Sequence, residues 1–297
     1  MTWAASLLLS PLMLSIIART KAFFAGRRGP PMLQPYRDLA KLLGKGAVYS
    51  RTTTWIFRAG PLVGLAAVLC AAALVPMGRI PAALSFPGDL VVFAYLLALA
   101  RFAAVLAALD TGSAFEGMGA SRETFFSALA EPALLFALAA LCRLAGDWSL
   151  TGVLGNISGE DWLTHGPAIL MAAGALFIVL LAENSRIPVD DPDTHLELTM
   201  IHEVMVLDHG GPDLAFILYG AALKLWTFAA LLASLFTPPE GTALWVQAAG
   251  FLGCMAAASI AVGVVESVMA RLRLSRVPML LAGACALSML ALAGTLR

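Results

Sequence analysis

The chain has 297 residues, 60% hydrophobic and 13% charged, with a mean hydropathy of +0.86. Soluble domains carry about 25% charged residues, so this composition cannot clothe a water-exposed surface, and it is far too apolar for a disordered chain. The 19 Lys and Arg balance 19 Asp and Glu, which excludes a basic nucleic-acid binder and leaves an integral membrane protein.

Apolar runs near 20 residues are long enough to cross a hydrocarbon core of roughly 30 Å as helices. The sequence predicts eight, at about Trp3–Ala18, Phe57–Met77, Leu90–Leu109, Phe125–Ala145, Leu163–Ala182, Leu214–Phe236, Ala243–Met269 and Val277–Leu296. The expected fold is an all-α integral membrane bundle forming a single domain over residues 1–297. The first run has no basic residue before it and its charges follow it, so it reads as a retained span rather than a signal peptide.

Residues 19–58 carry nine cations (Arg19, Lys21, Arg27, Arg28, Arg37, Lys41, Lys45, Arg51 and Arg58) against one acid, Asp38. Within them Leu33, Tyr36, Leu39, Ala40 and Leu43 follow helical spacing, which predicts a short amphipathic helix at the membrane interface. Arg27-Arg28-Gly29-Pro30-Pro31 breaks the chain just before it. Arg27, Arg28, Arg37 and Lys41 suit either lipid headgroups or a docked soluble partner.

The loops at about 19–56, 110–124, 183–213 and 270–276, counted with Arg58 just past the first, hold 14 of the 19 cations, which places them in the cytoplasm and both termini outside. Seven ionisable residues fall within or at the edges of the spans: Arg101, Asp110, Glu131, Arg143, Glu183, Lys224 and Glu266. A charge at the centre of a membrane helix costs about 2.5–3.5 kcal/mol, so each needs a partner or water. Two uses fit Arg101, Glu131 and Lys224: buried ion pairs that fix helix packing, or a chain of groups that passes protons. Pro132, directly after Glu131, removes a backbone donor and loosens the helix there.

Residues 182–213 hold eight acids and one arginine, Arg186. Asp193 or Thr194 reads as the cap of a helix on which Glu197 and Glu203 lie among apolar residues. His195, His202 and His209 recur every seven residues, on one face of that helix but about 10 Å apart, too far to share one metal ion. His202-Glu203 lacks the second histidine of a metalloprotease HExxH motif. Cys70, Cys142, Cys254 and Cys285 fall in separate apolar stretches with no CxxC pair, so no zinc or iron–sulfur site is expected in this chain.

Glu183, Arg186, Pro188 and Asp190, followed by Glu197 and Glu203, resemble the fifth-to-sixth-helix loop of the quinone-site membrane subunit of complex I, NADH dehydrogenase subunit 1. Two other stretches are closer to the membrane subunit of energy-converting hydrogenases of the hydrogenase-4 and formate hydrogenlyase type. These are Arg27-Arg28-Gly29-Pro30 with Gln34, Tyr36-Arg37-Asp38 and Lys41, and Asp110-Thr111-Gly112-Ser113 through Gly119-Ala120-Ser121-Arg122-Glu123 to Glu131-Pro132. Val189-Asp190-Asp191-Pro192 stands where complex I has Phe-Asp-Leu, which also favours the hydrogenase branch.

The resemblance implies a subunit of a bacterial or archaeal cytoplasmic membrane that holds no redox cofactor of its own. It would lie beneath a soluble arm with a nickel–iron large subunit and an iron–sulfur small subunit, beside antiporter-like membrane subunits. It also implies that Glu123, Glu131, Glu183, Asp190, Glu197, Glu203, Lys224 and Arg101 couple electron transfer to proton or sodium movement. Arg122 and Arg186 would be counter-charges, and Arg27, Arg28, Arg37 and Lys41 would dock the arm. The alternatives are a quinone-site subunit of an NADH- or ferredoxin-quinone oxidoreductase and a self-contained transporter. The concentration of polar residues on one side argues against the transporter.

Overall fold

A computed structural model describes residues 2–190, 200–237 and 243–296. Among them are ten α-helices: α1 (Thr2–Phe24), α2 (Gln34–Leu43), α3 (Trp55–Leu74), α4 (Asp89–Asp110), α5 (Ala114–Ala145), α6 (Leu150–Asn156), α7 (Gly159–Glu183), α8 (Gly211–Leu235), α9 (Leu244–Val268) and α10 (Val277–Gly294). Eight of the ten, all but α2 and α6, are long and apolar enough to cross a membrane, α10 together with the short turn before it. The chain is a multi-pass, all-α membrane protein.

Lipid tails are as apolar as leucine, so close van der Waals packing rather than hydrophobic expulsion holds such helices together. The core between α4, α5, α7, α8 and α9 is filled by fully buried Phe93, Leu138, Leu141, Ile169, Leu176, Phe228 and Phe251. Small residues allow the closest crossings. A Cβ on Gly60 of α3 would lie 2.6 Å from the Cβ of Ala107 on α4, a separation that no side chain tolerates.

Charged groups cap the helix ends. The Asp110 carboxylate, at the end of α4, accepts from the backbone N–H of Thr54 (2.7 Å) and Phe57 (3.2 Å) and from the Thr54 hydroxyl (2.8 Å). It therefore sits on the positive N-terminus of α3 and joins the α3–α4 pair. Buried Asp89 accepts from Leu150 N–H at 2.6 Å at the start of α6, while Arg79 donates to the Leu154 and Gly155 carbonyls at its end. This short helix lies in a stretch that the sequence treats as a loop.

Three expectations change. The stretch 110–124 is not a loop: α5 begins at Ala114, so Arg122 and Glu123 are helical. No continuous helix runs to His209, since residues 200–202 are non-helical and only Glu203–Val206 forms a short 3-10 turn, packed on α5. His202 and His209 therefore share no helix face. His195 and Glu197, like the capping residues Asp193 and Thr194, lie outside the described residues. Finally, α2 is amphipathic as expected, but it also packs along α1. Ser15 donates to the Met32 carbonyl at 2.7 Å, and the Tyr36 hydroxyl donates to the Leu8 carbonyl. Pro11 cannot bond the Leu7 carbonyl, and the Tyr219 hydroxyl does so instead, at 2.9 Å.

Candidate functional site

Arg101 lies roughly 14 Å along α4 from Asp110 and roughly 18 Å from Asp89, well inside the span. Its guanidinium reaches two other helices. It pairs with Glu131 on α5, with Glu183 at the end of α7 (2.6 Å) and, at 3.9 Å, with Glu123 on α5. Lys224 of α8 completes the set, 2.8 Å from the other Glu183 carboxylate oxygen and donating to the Glu183 main-chain carbonyl at 2.6 Å.

Glu183 is buried, whereas 44% of the Glu131 side chain is exposed on the flank of α5. With all five groups ionised, three carboxylates face two cations and one negative charge is left over. Glu131, the most exposed of the three, can keep that surplus charge in contact with solvent. Such a set can take up or release a proton with little movement of heavy atoms.

A cavity of about 120 Å³ adjoins this network, between α3, α4, α8 and residues 184–185 and 202–209. Arg101, Glu123, Glu183, Lys224, His202 and His209 form its polar wall, while Pro61, Leu65, Val68, Phe216 and Ile217 form the apolar one. A smaller gap of about 10 Å³, near the minimum for one water molecule, joins Glu123 and Glu183 to Asp190. His202, sunk beside Lys224, has its pKa pushed down to about 4, by loss of solvation first and by the lysine's charge second.

The remaining candidates fall into separate groups. Asp190 pairs with Arg271 at 2.9 Å and accepts from the backbone N–H of Ile201 (3.2 Å) and His202 (3.1 Å), pinning the loop that carries the histidine. Arg186 meets Glu266 of α9 at 3.3 Å, and Lys21 meets the same carboxylate at 3.2 Å. Arg122 donates to the Met200 carbonyl at 2.9 Å. Neither arginine reaches the five-group network. Glu203 opens the 3-10 turn, and Glu197 lies outside the described residues. Arg27, Arg28, Arg37 and Lys41 are all exposed.

Sequence reasoning missed the roles of Arg271, Glu266 and His209. Glu266 sits near a helix end, where a charge reads as ordinary snorkelling, and Arg271 reads only as one of the loop cations that set orientation. The Gly210-Gly211 pair was the available sign that His209 ends a turn. Among the described residues, no three His, Cys, Asp or Glu side chains converge to hold a metal ion.

The NADH dehydrogenase family profile matches residues 1–296. The chain is 31% identical to formate hydrogenlyase subunit 4 of Escherichia coli (strain K12), over 91% of this chain and 88% of that one. It is 35% identical to hydrogenase-4 component C of the same organism, over 78% and 72% of the two chains. The membrane-bound sulfane sulfur reductase, an archaeal respiratory membrane complex, contains a chain of the same fold. The two superpose with a TM-score of 0.84 at 21% identity, covering 99% of this chain and 96% of that one. From the profile match and these two relatives, the chain belongs to the NADH dehydrogenase family, on its hydrogenase-4 and formate hydrogenlyase side.

Proposed function

We propose that the chain is the non-redox membrane subunit of a hydrogenase-4 or formate hydrogenlyase-type complex, anchoring a soluble redox arm and coupling its electron transfer to proton or sodium translocation. The observation that carries this reading is the five-group network of Arg101, Glu123, Glu131, Glu183 and Lys224, which links four helices to a polar cavity. Structural ion pairs alone do not need a surplus carboxylate, whereas a proton-passing set does. Asp190 would extend the path through the one-water gap towards Glu203, and Glu197, outside the described residues, is a further candidate. Arg122, on the Met200 carbonyl, and Arg186, on Glu266, hold the loop after α7 in place.

The exposed cations Arg27, Arg28, Arg37 and Lys41 would dock the arm on the cytoplasmic side of a bacterial or archaeal inner membrane, with both termini outside. Nickel–iron and iron–sulfur centres would belong to that arm, and antiporter-like subunits would flank this chain.

The test is a mild-detergent pull-down of the tagged chain with mass spectrometry of its partners and metal analysis. Nickel and iron with a hydrogenase-like large subunit are expected. Iron with flavin or bound quinone and no nickel would favour the quinone-site alternative, and a chain that purifies alone would refute both.

A further inference from the structure

A second polar cluster borders the cavity at His209. His209 is buried and borders the cavity, with its ring stacked flat on Phe57 of α3 (centroids 3.9 Å apart, planes 6° apart). Its Nδ1 has no hydrogen-bond partner among the described residues, and neither does Oδ2 of Asp213, buried in the first turn of α8. On the loop side, the half-buried Tyr49 is close enough to Asp213 for the carboxylate to raise the tyrosine pKa. The Arg58 guanidinium lies 4.2 Å from the centroid of the Tyr49 ring. Asp208, next to His209, is exposed, and Glu116 of α5 is the neighbouring acid on its other side.

Two orphaned buried atoms, an imidazole nitrogen and a carboxylate oxygen on groups that act on each other electrostatically, each call for a partner, because a lost hydrogen bond costs about 1–3 kcal/mol. Tyr49 links them to the loop surface, and the cavity links them to Glu183 and Lys224. Burial lowers the His209 pKa, and the nearby Asp213 and Asp208 offset only part of that, so the ring rests neutral with one nitrogen free to accept a proton.

We propose that His209, backed by Asp213 and Tyr49, is the point at which protons pass between the aqueous side of the 44–54 loop and the cavity. The imidazole takes a proton from water on one nitrogen and gives one from the other to cavity water, so charge and atoms balance over one transfer. This rests on the coupling role proposed above and adds the entry point to it.

The experiment uses the whole complex, purified through a tag on this chain and sealed in vesicles. Hydrogen evolution and a pH-sensitive dye are followed from pH 6 to 9, with assembly checked by co-purification. His209→Phe keeps the stack on Phe57 but cannot titrate, and is expected to slow coupled turnover about tenfold or more. His209→Ala is expected to slow it equally and to recover with added imidazole but not with pyrazole, a ring of the same size that is not protonated in this range. A wild-type rate and pH profile in His209→Phe, or equal recovery with both rings, would overturn the proposal. Should His209→Phe fail to assemble, His209→Gln is judged by the same outcomes. Glu183→Gln runs alongside: loss of coupling there with a normal His209→Phe removes only the entry point, whereas full coupling in Glu183→Gln removes the coupling role itself.

Discussion

Glu183 holds two cations that arrive from different helices, Arg101 from α4 and Lys224 from α8. Taking one partner from a buried set leaves the others uncompensated, at about 3–5 kcal/mol. Arg101→Leu is therefore expected to abolish assembly or sharply lower the melting temperature of the complex. Glu131→Gln, at the most exposed position of the set, is expected to lower it far less. Equal melting temperatures would show that Arg101 is not the centre of the network.

His202 gives a pH signature. Unfolded, its imidazole protonates near pH 6.5, whereas folded it stays neutral down to about pH 4. Its contribution to stability is complete above pH 6.5 and is lost as pH falls towards 4, at no more than about 1.4 kcal/mol per pH unit. His202→Asn is expected to flatten that part of a thermal-unfolding series, and an unchanged slope would assign the acid sensitivity to other groups. At this scale the sequence shows which residues cost energy in a membrane, because that cost depends only on residue type and depth. It does not show the pairings. Arg186 meets Glu266 rather than Glu183, a choice made by helix packing across 80 intervening positions.

The first three turns of α5 were illegible for a local reason: Gly117, Gly119 and a run of polar residues hide the helix from any search for apolar runs. Gly119 is there because the turn at 203–206 packs against it. A Cβ at this position would lie 2.3 Å from a Val204 methyl and 2.8 Å from the Ile201 carbonyl oxygen. Gly119→Ala is thus expected to push the loop carrying His202 off α5 and to destabilise the fold by about 1–3 kcal/mol, read as a lower melting temperature and faster hydrogen exchange in residues 200–206. Unchanged exchange there would mean that the loop gives way without cost. Along α1, Pro11 leaves the Leu7 carbonyl without its helical donor, and the hydroxyl that answers it belongs to Tyr219, 212 positions away. Tyr219→Phe is expected to cost about 1 kcal/mol, measured by thermal unfolding in detergent. Asp110 likewise reads as a stray charge at a membrane edge until Thr54, 56 positions earlier, is found beneath it.

Across the whole molecule, the eight spans could be read from hydropathy because lipid forces every spanning backbone to satisfy its own hydrogen bonds within a helix. Their arrangement could not, since the cavity exists only where Gly60, Gly64 and Gly220 from two helices face Ala100 and Ala104 from a third. The candidate acids were also visible, but nothing in their spacing says that five charges from four helices meet. The central claim is that this meeting passes protons. It is tested most directly by Glu131→Gln in the intact complex, with turnover and proton movement measured on the same vesicles. Unchanged assembly with uncoupled or slowed turnover is expected, and full coupled activity would contradict the assignment.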